Sequence, residues 1–158
     1  MIGVKSFGKT RVSVSNAAIL SNPDAMIKCG ERYFNGESVP QIPERGFGML
    51  ERASELGSTE AINKLALCYE VGRGVAFKSK QLCNFYRKMA EKATDPSALD
   101  QLCQSIPSEN EDIVLNCLKI ASVFGCTNAS YLVGMKLKAK DDKRAFEYFR
   151  RASDGRIL

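Results

Sequence analysis

Two stretches of the chain can be laid over each other without a gap. Ala25-Met-Ile-Lys-Cys-Gly-Glu-Arg-Tyr33-Phe-Asn-Gly36-Glu-Ser-Val39 falls on Ala61-Ile-Asn-Lys-Leu-Ala-Leu-Cys-Tyr69-Glu-Val-Gly72-Arg-Gly-Val75, with alanine, tyrosine, glycine and valine coinciding. The register continues, Met49-Leu50 falling on Phe85-Tyr86 and Arg52-Ala53-Ser54 on Lys88-Met89-Ala90. A second match sets LERASELGSTEA (50–61) on LKIASVFGCTNA (118–129), sharing Leu, Ala-Ser, Gly, Thr and Ala. A period of about 36 residues marks stacked units, none of which can bury its apolar face alone. The chain is a repeat array.

Each unit reads as a pair of helices. In the first helix, offsets 0, +4, +5, +8 and +11 from the leading alanine fall on one stripe of a 3.6-residue turn. Small residues at 0 and +5 (Ala25 and Gly30, Ala61 and Ala66, Ala98 and Cys103, Ala129 and Gly134) admit a second backbone, and larger ones at +4 and +8 fill the space beside them. The second helix repeats a small-x-x-large-large-x-basic-small pattern, plainest in Ala145-x-x-Tyr148-Phe149-x-Arg151-Ala152. Pro23, Pro43 and Pro96 suit first-turn positions, Ser108 with Glu111 a capping box and Thr127 an N-cap. Gly57 and Gly125 end second helices. The spacing predicts eight helices over about 24–35, 43–56, 60–71, 78–93, 96–106, 109–124, 127–138 and 141–154. The expected fold is an all-α, α/α solenoid, a right-handed superhelix of about four helix-turn-helix units (24–58, 59–94, 95–126 and 127–158).

Gly72-Arg73-Gly74 has the look of a phosphate cradle, but it follows a helix. A phosphate loop follows a strand and opens a helix, with lysine and Ser/Thr next. Gly72 has a counterpart in Gly36, and Gly74 becomes Ser38. The reading is a hinge between paired helices, with Val75 and Val39 pinning the turn to the core.

Composition removes chemistry. Histidine is absent, and with it every Ser-His, Cys-His and His-metal mechanism. The six cysteines, Cys29, Cys68, Cys83, Cys103, Cys117 and Cys126, are irregularly spaced and form no C-x-x-C or zinc ladder. They read as reduced, small core residues of a cytoplasmic protein. No cofactor and no metal are expected, and no apolar run has membrane-spanning length. Residues 1–23 hold no acid, several serines and Lys5, Lys9 and Arg11. They read as a flexible basic tail or short strand ahead of a transit or export leader.

The pattern A-x-x-x-L-[G/A]-x-x-Y-x-x-G-x-G-V followed by K-A-x-x-[W/F]-Y-x-[K/R]-A-[A/S]-x-x-G resembles the Sel-one-like repeat (SLR), a relative of the tetratricopeptide (TPR-like) helical hairpin. The resemblance covers roughly residues 24–155. It is clear in 25–57 and 61–93 and degenerate in 98–125 and 129–155, which lose the G-x-G-V loop. There the connection between paired helices is expected to be shorter and the hairpins tighter. The resemblance implies a non-catalytic adaptor or scaffold that binds a protein or peptide, such as a bacterial effector or signalling scaffold, delivered into a host cell in the effector case. The alternative is a secreted enzyme of the penicillin-binding or β-lactamase-like type, whose regularly paired cysteines this chain lacks.

Stacked hairpins are expected to leave a concave face lined by first helices. On a helical wheel its exposed side is Ile27, Glu31 and Phe34; Asn63, Leu67, Glu70 and Val71; Asp100 and Gln104; and Tyr131, Met135 and Lys138. Five of these are large and apolar, which favours a protein or peptide partner over a small-molecule substrate. Charge runs in blocks: residues 61–94 hold seven basic and two acidic groups, 95–126 one and five, and 127–158 eight and four. Without a recognisable motif or interleaved aromatics, the basic end does not read as a nucleic-acid site. Because Phe146, Tyr148 and Phe149 precede Ile157-Leu158, the tail is expected to fold back over the last helix, or a second copy to cover it by self-association through the C-terminal repeat.

Overall fold

The computed structural model describes residues 22–138 and 140–157, the last three by backbone alone. The N-terminal tail, strand or leader expected over 1–23 falls almost wholly on residues 1–21, outside the described residues. Eight helices follow one another with no strand among the described residues: α1 Pro23–Asn35, α2 Pro43–Glu55, α3 Thr59–Val71, α4 Lys80–Glu91, α5 Pro96–Cys103, α6 Glu111–Val123, α7 Thr127–Leu137 and α8 Asp142–Ile157. They form a solenoid of helix pairs, α1 with α2, α3 with α4 and α7 with α8 packing most extensively.

The helix starts follow from local chemistry. Prolines open α1, α2 and α5, where no intrahelical amide is lost. Asn22 Oδ1 accepts from the amides of Asp24 and Ala25, and Ser58, Ser79 and Asp95 cap α3, α4 and α5 in the same way. Each such cap stabilises by about 1 kcal/mol. Two expected caps move. Asn110, not Ser108, caps α6, taking the Asp112 amide, while Ser108 Oγ accepts from Asn110 itself. Thr127 lies inside α7, and Cys126 holds the cap position without a side-chain bond.

Unit three is shortened in an unexpected place. Its connection, residues 104–110, matches the 36–42 connection of unit one, whereas α5 has 8 residues against 13 in α1. Only unit four shortens the connection, to residues 138–141. The tail also differs from expectation. The α8 backbone stays helical through Ile157, so no reversal precedes that residue.

Small residues set the helix spacing. A Cβ on Gly30 would sit 3.0 Å from the Gly46 carbonyl oxygen, and one on Gly46 would meet the Gly30 oxygen at 2.8 Å. Gly134 receives the Phe149 ring in the same manner. Across units, Phe47 of α2 meets Tyr69 of α3 edge-on at 5.7 Å; within unit two, Tyr69 stacks on Tyr86 of α4 at 5.7 Å.

The glycine pair at 72 and 74 is a turn and also a clasp. Both residues have left-handed backbone, φ 77° and 75°. Arg73 between them reaches back to the first unit: its guanidinium lies 4.3 Å from the Phe34 ring centroid, and Nη2 donates to Asn35 Oδ1 at 2.9 Å. Gly74 abuts the Pro43 carbonyl and Phe47 so closely that a Cβ would overlap them. Gly74→Ala is expected to lower unfolding free energy by at least ~2 kcal/mol, of which ~1–2 is left-handed strain. Gly48→Ala, on α2 where an added methyl meets nothing within 4 Å, is expected to raise it by up to ~1 kcal/mol. Urea unfolding followed by circular dichroism reads both, and a Gly74→Ala variant as stable as the parent would contradict the clasp.

Candidate functional site

The solenoid turns tightly enough that α2 of unit one touches α6 of unit three. A buried polar chain spans the approach. Tyr86 Oη on α4 donates to Asn116 Oδ1 at 2.7 Å, and Asn116 Nδ2 donates to Glu55 Oε2 at 2.7 Å. Lys119 Nζ stands 3.6 Å from Glu55 Oε1. Three units are thus joined through one amide. Asn116 and Tyr86 are buried, where an unmet polar group costs about 1–3 kcal/mol.

Beside this junction opens a groove of about 800 Å³, lined by second helices. From α2 come Gly48, Glu51, Arg52 and Glu55, from α6 Asp112, Leu115, Asn116 and Lys119, and from α8 Arg144, Glu147, Tyr148 and Arg151. Met26 is the contribution of α1. The walls differ in charge. Glu51, Glu55 and Asp112 gather on the α2–α6 side, and burial together with repulsion from Glu55 and Asp112 pushes the Glu51 carboxyl up to about 7, against the pull of Lys119. On the α8 side, the Arg151 guanidinium lies 5.0 Å from the Tyr148 ring centroid, with Arg144 on the same wall.

None of the twelve residues expected on the inner face lines this groove. Ile27 and Phe34 are core residues, 4 % and 5 % exposed, Phe34 lying between Gly46 and Arg73. Glu31 pairs with Lys64 at 2.8 Å across units one and two, and Glu70 with Arg87 at 2.7 Å within unit two. Asp100 accepts from Asn128 Nδ2 at 3.0 Å and from the Cys126 thiol, tying unit three to unit four. Asn63, Gln104 and Lys138 are exposed, as are Leu67 (49 %), Val71 (57 %), Tyr131 (47 %) and Met135 (51 %). None of these exposed apolar side chains of the first helices lines the groove. The groove residues were missed because they are the polar positions of the second helices. The signal was present in the spacing of Gly48, Glu51, Arg52 and Glu55 along one side of α2.

All six cysteines are free thiols. Burial pushes Cys68 up to about 11 and Cys103 and Cys117 up to about 12, so they are held as thiols rather than nucleophilic thiolates. Among the described residues no group of Cys, Asp and Glu is arranged to hold a metal ion, and no helix is long and apolar enough to cross a membrane.

A family model for the Sel1 repeat matches residues 23–58, 59–93 and 125–155. The unmatched stretch holds the shortened α5. A comparison with curated proteins gives no match. Among solved structures, a Sel1 repeat protein from Oxalobacter formigenes is similar at 21% identity over 85% of this chain and 58% of its own, with a TM-score of 0.43. A protective antigen present in uropathogenic Escherichia coli strains, c5321, displaying an SLR fold, is similar at 18% identity over 87% of this chain and 32% of its own, with a TM-score of 0.45. The chain thus spans between a third and three-fifths of the length of these two structures.

The Glu51 carboxyl sets a pH dependence whose sign is fixed. Its folded value, about 7, lies above the ordinary 4.5, so the folded state binds the proton more tightly. The resulting stability is complete below the ordinary value and lost as pH rises through about 7. Between pH 5 and pH 8 the unfolding free energy is expected to fall by on the order of 2 kcal/mol. Glu51→Gln should flatten that dependence, as read by urea unfolding at both pH values.

Proposed function

This chain belongs to the Sel1 repeat family, and on that premise we propose that it is a scaffold holding an extended segment of another polypeptide in the groove between α2, α6 and α8. Members of the family are typically protein-interaction modules. The observation that carries the reading is the charged groove: Glu51, Glu55 and Asp112, with Arg52 and Lys119 beside them, face a wall bearing Arg144, Arg151 and Glu147. A lysine or arginine side chain of the partner enters against Glu51 and Asp112 and ionises Glu51, offsetting the repulsion among the carboxylates. An acidic neighbour on the same segment meets the arginines of α8. The role is that of a non-catalytic adaptor working in the cytoplasm, or in a host cell if the chain is a delivered effector. The buried thiols and the absence of histidine favour it over the secreted-enzyme alternative.

A second surface is favoured by a separate observation. Leu67, Val71, Tyr131 and Met135 leave about half of their area in water, more apolar area than a solvated first-helix face needs. A displayed peptide library selected on the 158-residue chain separates the two surfaces. The groove reading predicts basic selected peptides whose affinity rises from pH 6 to pH 8. It also predicts a loss on the order of 10-fold or more on Glu51→Lys or Asp112→Lys, with Leu67→Asp and Met135→Asp near parent values. The reverse pattern would move the site to the first helices.

A further inference from the structure

Three positions of the second helix recur in register from unit to unit, and Phe47, Tyr86 and Ser122 among them reach the following unit, touching Tyr69, Asn116 and Ser130. In α2 the three are Phe47, Leu50 and Ser54, in α4 Cys83, Tyr86 and Ala90, in α6 Leu115, Leu118 and Ser122, and in α8 Phe146, Phe149 and Ser153. In units one to three every one of these side chains is buried or half-buried. In unit four Phe146 is 66 % exposed, Phe149 is half-buried where Leu50, Tyr86 and Leu118 are buried, and Ser153 is exposed where Ser54 and Ser122 are buried. The last unit therefore carries a stacking face of the kind that receives a following first helix inside the array.

The first unit carries the reciprocal face. In α3, Tyr69 meets Phe47 of the preceding unit edge-on, and Ala61 and Leu65 on the same stripe are buried with it. The stripe's counterparts in α1, Ala25, Cys29 and Tyr33, are all half-buried. Units one and four differ in charge: residues 24–58 hold six acidic and four basic groups, preceded by Lys5, Lys9 and Arg11, whereas residues 127–158 hold eight basic and four acidic. The clasp position agrees in detail: where Arg73 of unit two covers Phe34 of unit one, the register sets Glu37 of unit one opposite Lys138 of unit four.

We propose that a second copy of this chain stacks head-to-tail on the first, its α1 against the α8 face of its neighbour, repeating the internal junction. Phe146 of one copy then meets Tyr33 of the next as Phe47 meets Tyr69, and Lys138 pairs with Glu37. The contact is heterologous, so it leaves a free face at each end of the assembly and continues with concentration. It does not involve the groove, so it stands or falls independently of peptide binding.

Sedimentation velocity on the 158-residue chain over a wide concentration range tests the proposal. The parent chain is expected to grow past a dimer as concentration rises, with added salt weakening the growth. Phe146→Asp blocks one face and Glu37→Lys weakens the other. Each variant alone should shift association at least ~10-fold higher in concentration. Lys138→Glu should do the same, and a mixture of Lys138→Glu chains with Glu37→Lys chains should recover association through the restored pair. Circular dichroism confirms the fold of each variant, all three substituted positions being exposed. A parent chain that stays monomeric overturns the proposal, as does a symmetric dimer that stops at two copies. Association unchanged by both Phe146→Asp and the charge reversals overturns it as well.

Discussion

Asn116 holds together units that are far apart in the chain. Its carbonyl oxygen takes the Tyr86 hydroxyl of unit two and its amide gives a hydrogen bond to Glu55 of unit one, while it belongs to unit three itself. A buried amide with one end unmet is costly, so this arrangement tolerates only a narrow range of rotations between successive helix pairs. The rotation it fixes brings α2 onto α6. From that approach follow the groove beside it, the clustering of Glu51, Glu55 and Asp112, and the outward position of the exposed first-helix residues. Small-residue contacts such as Gly30 with Gly46 set the spacing within a hairpin; the polar chain sets the relation between hairpins.

Much of the architecture is legible in the sequence, because it is local. The repeat of Ala25 at Ala61 and of Gly36 at Gly72 fixes the helix pairs, and prolines and polar caps fix most starts. What depends on relations between units is not. A wheel drawn for α1 alone places Phe34 outward, since it does not include Gly46 of the partner helix or Arg73 of the next unit, which enclose the ring. The same wheel assigns the inner face to the first helices, a choice that the inter-unit rotation makes and helical periodicity does not. In unit three the shorter spacing from Ala98 to Val114 reveals lost residues without telling whether helix or connection lost them. Pro107 held the missing signal: a residue before proline avoids helical backbone, so α5 had to stop short of Ile106.

Two surfaces of different chemistry emerge, built by different parts of the same repeat. The groove collects polar positions of the second helices and owes its electrostatics to the curvature of the array. The second surface is the α8 position of the inter-unit packing stripe, where Phe146 and Ser153 are exposed. A solenoid commonly covers its outermost junction chemistry with polar capping residues, whereas unit four leaves Phe146 in water; units one and four also differ in sign of charge. The clasp residue marks the difference, with Arg73 inside the array and Glu37 at its head.

The contact between α2 and α6 is the feature on which the groove depends, and a double-mutant cycle across it is the most direct measurement. Glu55 and Asn116 lie 61 residues apart in the chain and in non-adjacent units, yet their side chains are 2.7 Å apart. Unfolding free energies of Glu55→Ala, Asn116→Ala and the double variant are expected to give a coupling of about 0.5–3 kcal/mol. Additivity within about 0.3–0.5 kcal/mol would mean that the two side chains do not interact, and would contradict the polar junction on which the account of the groove rests.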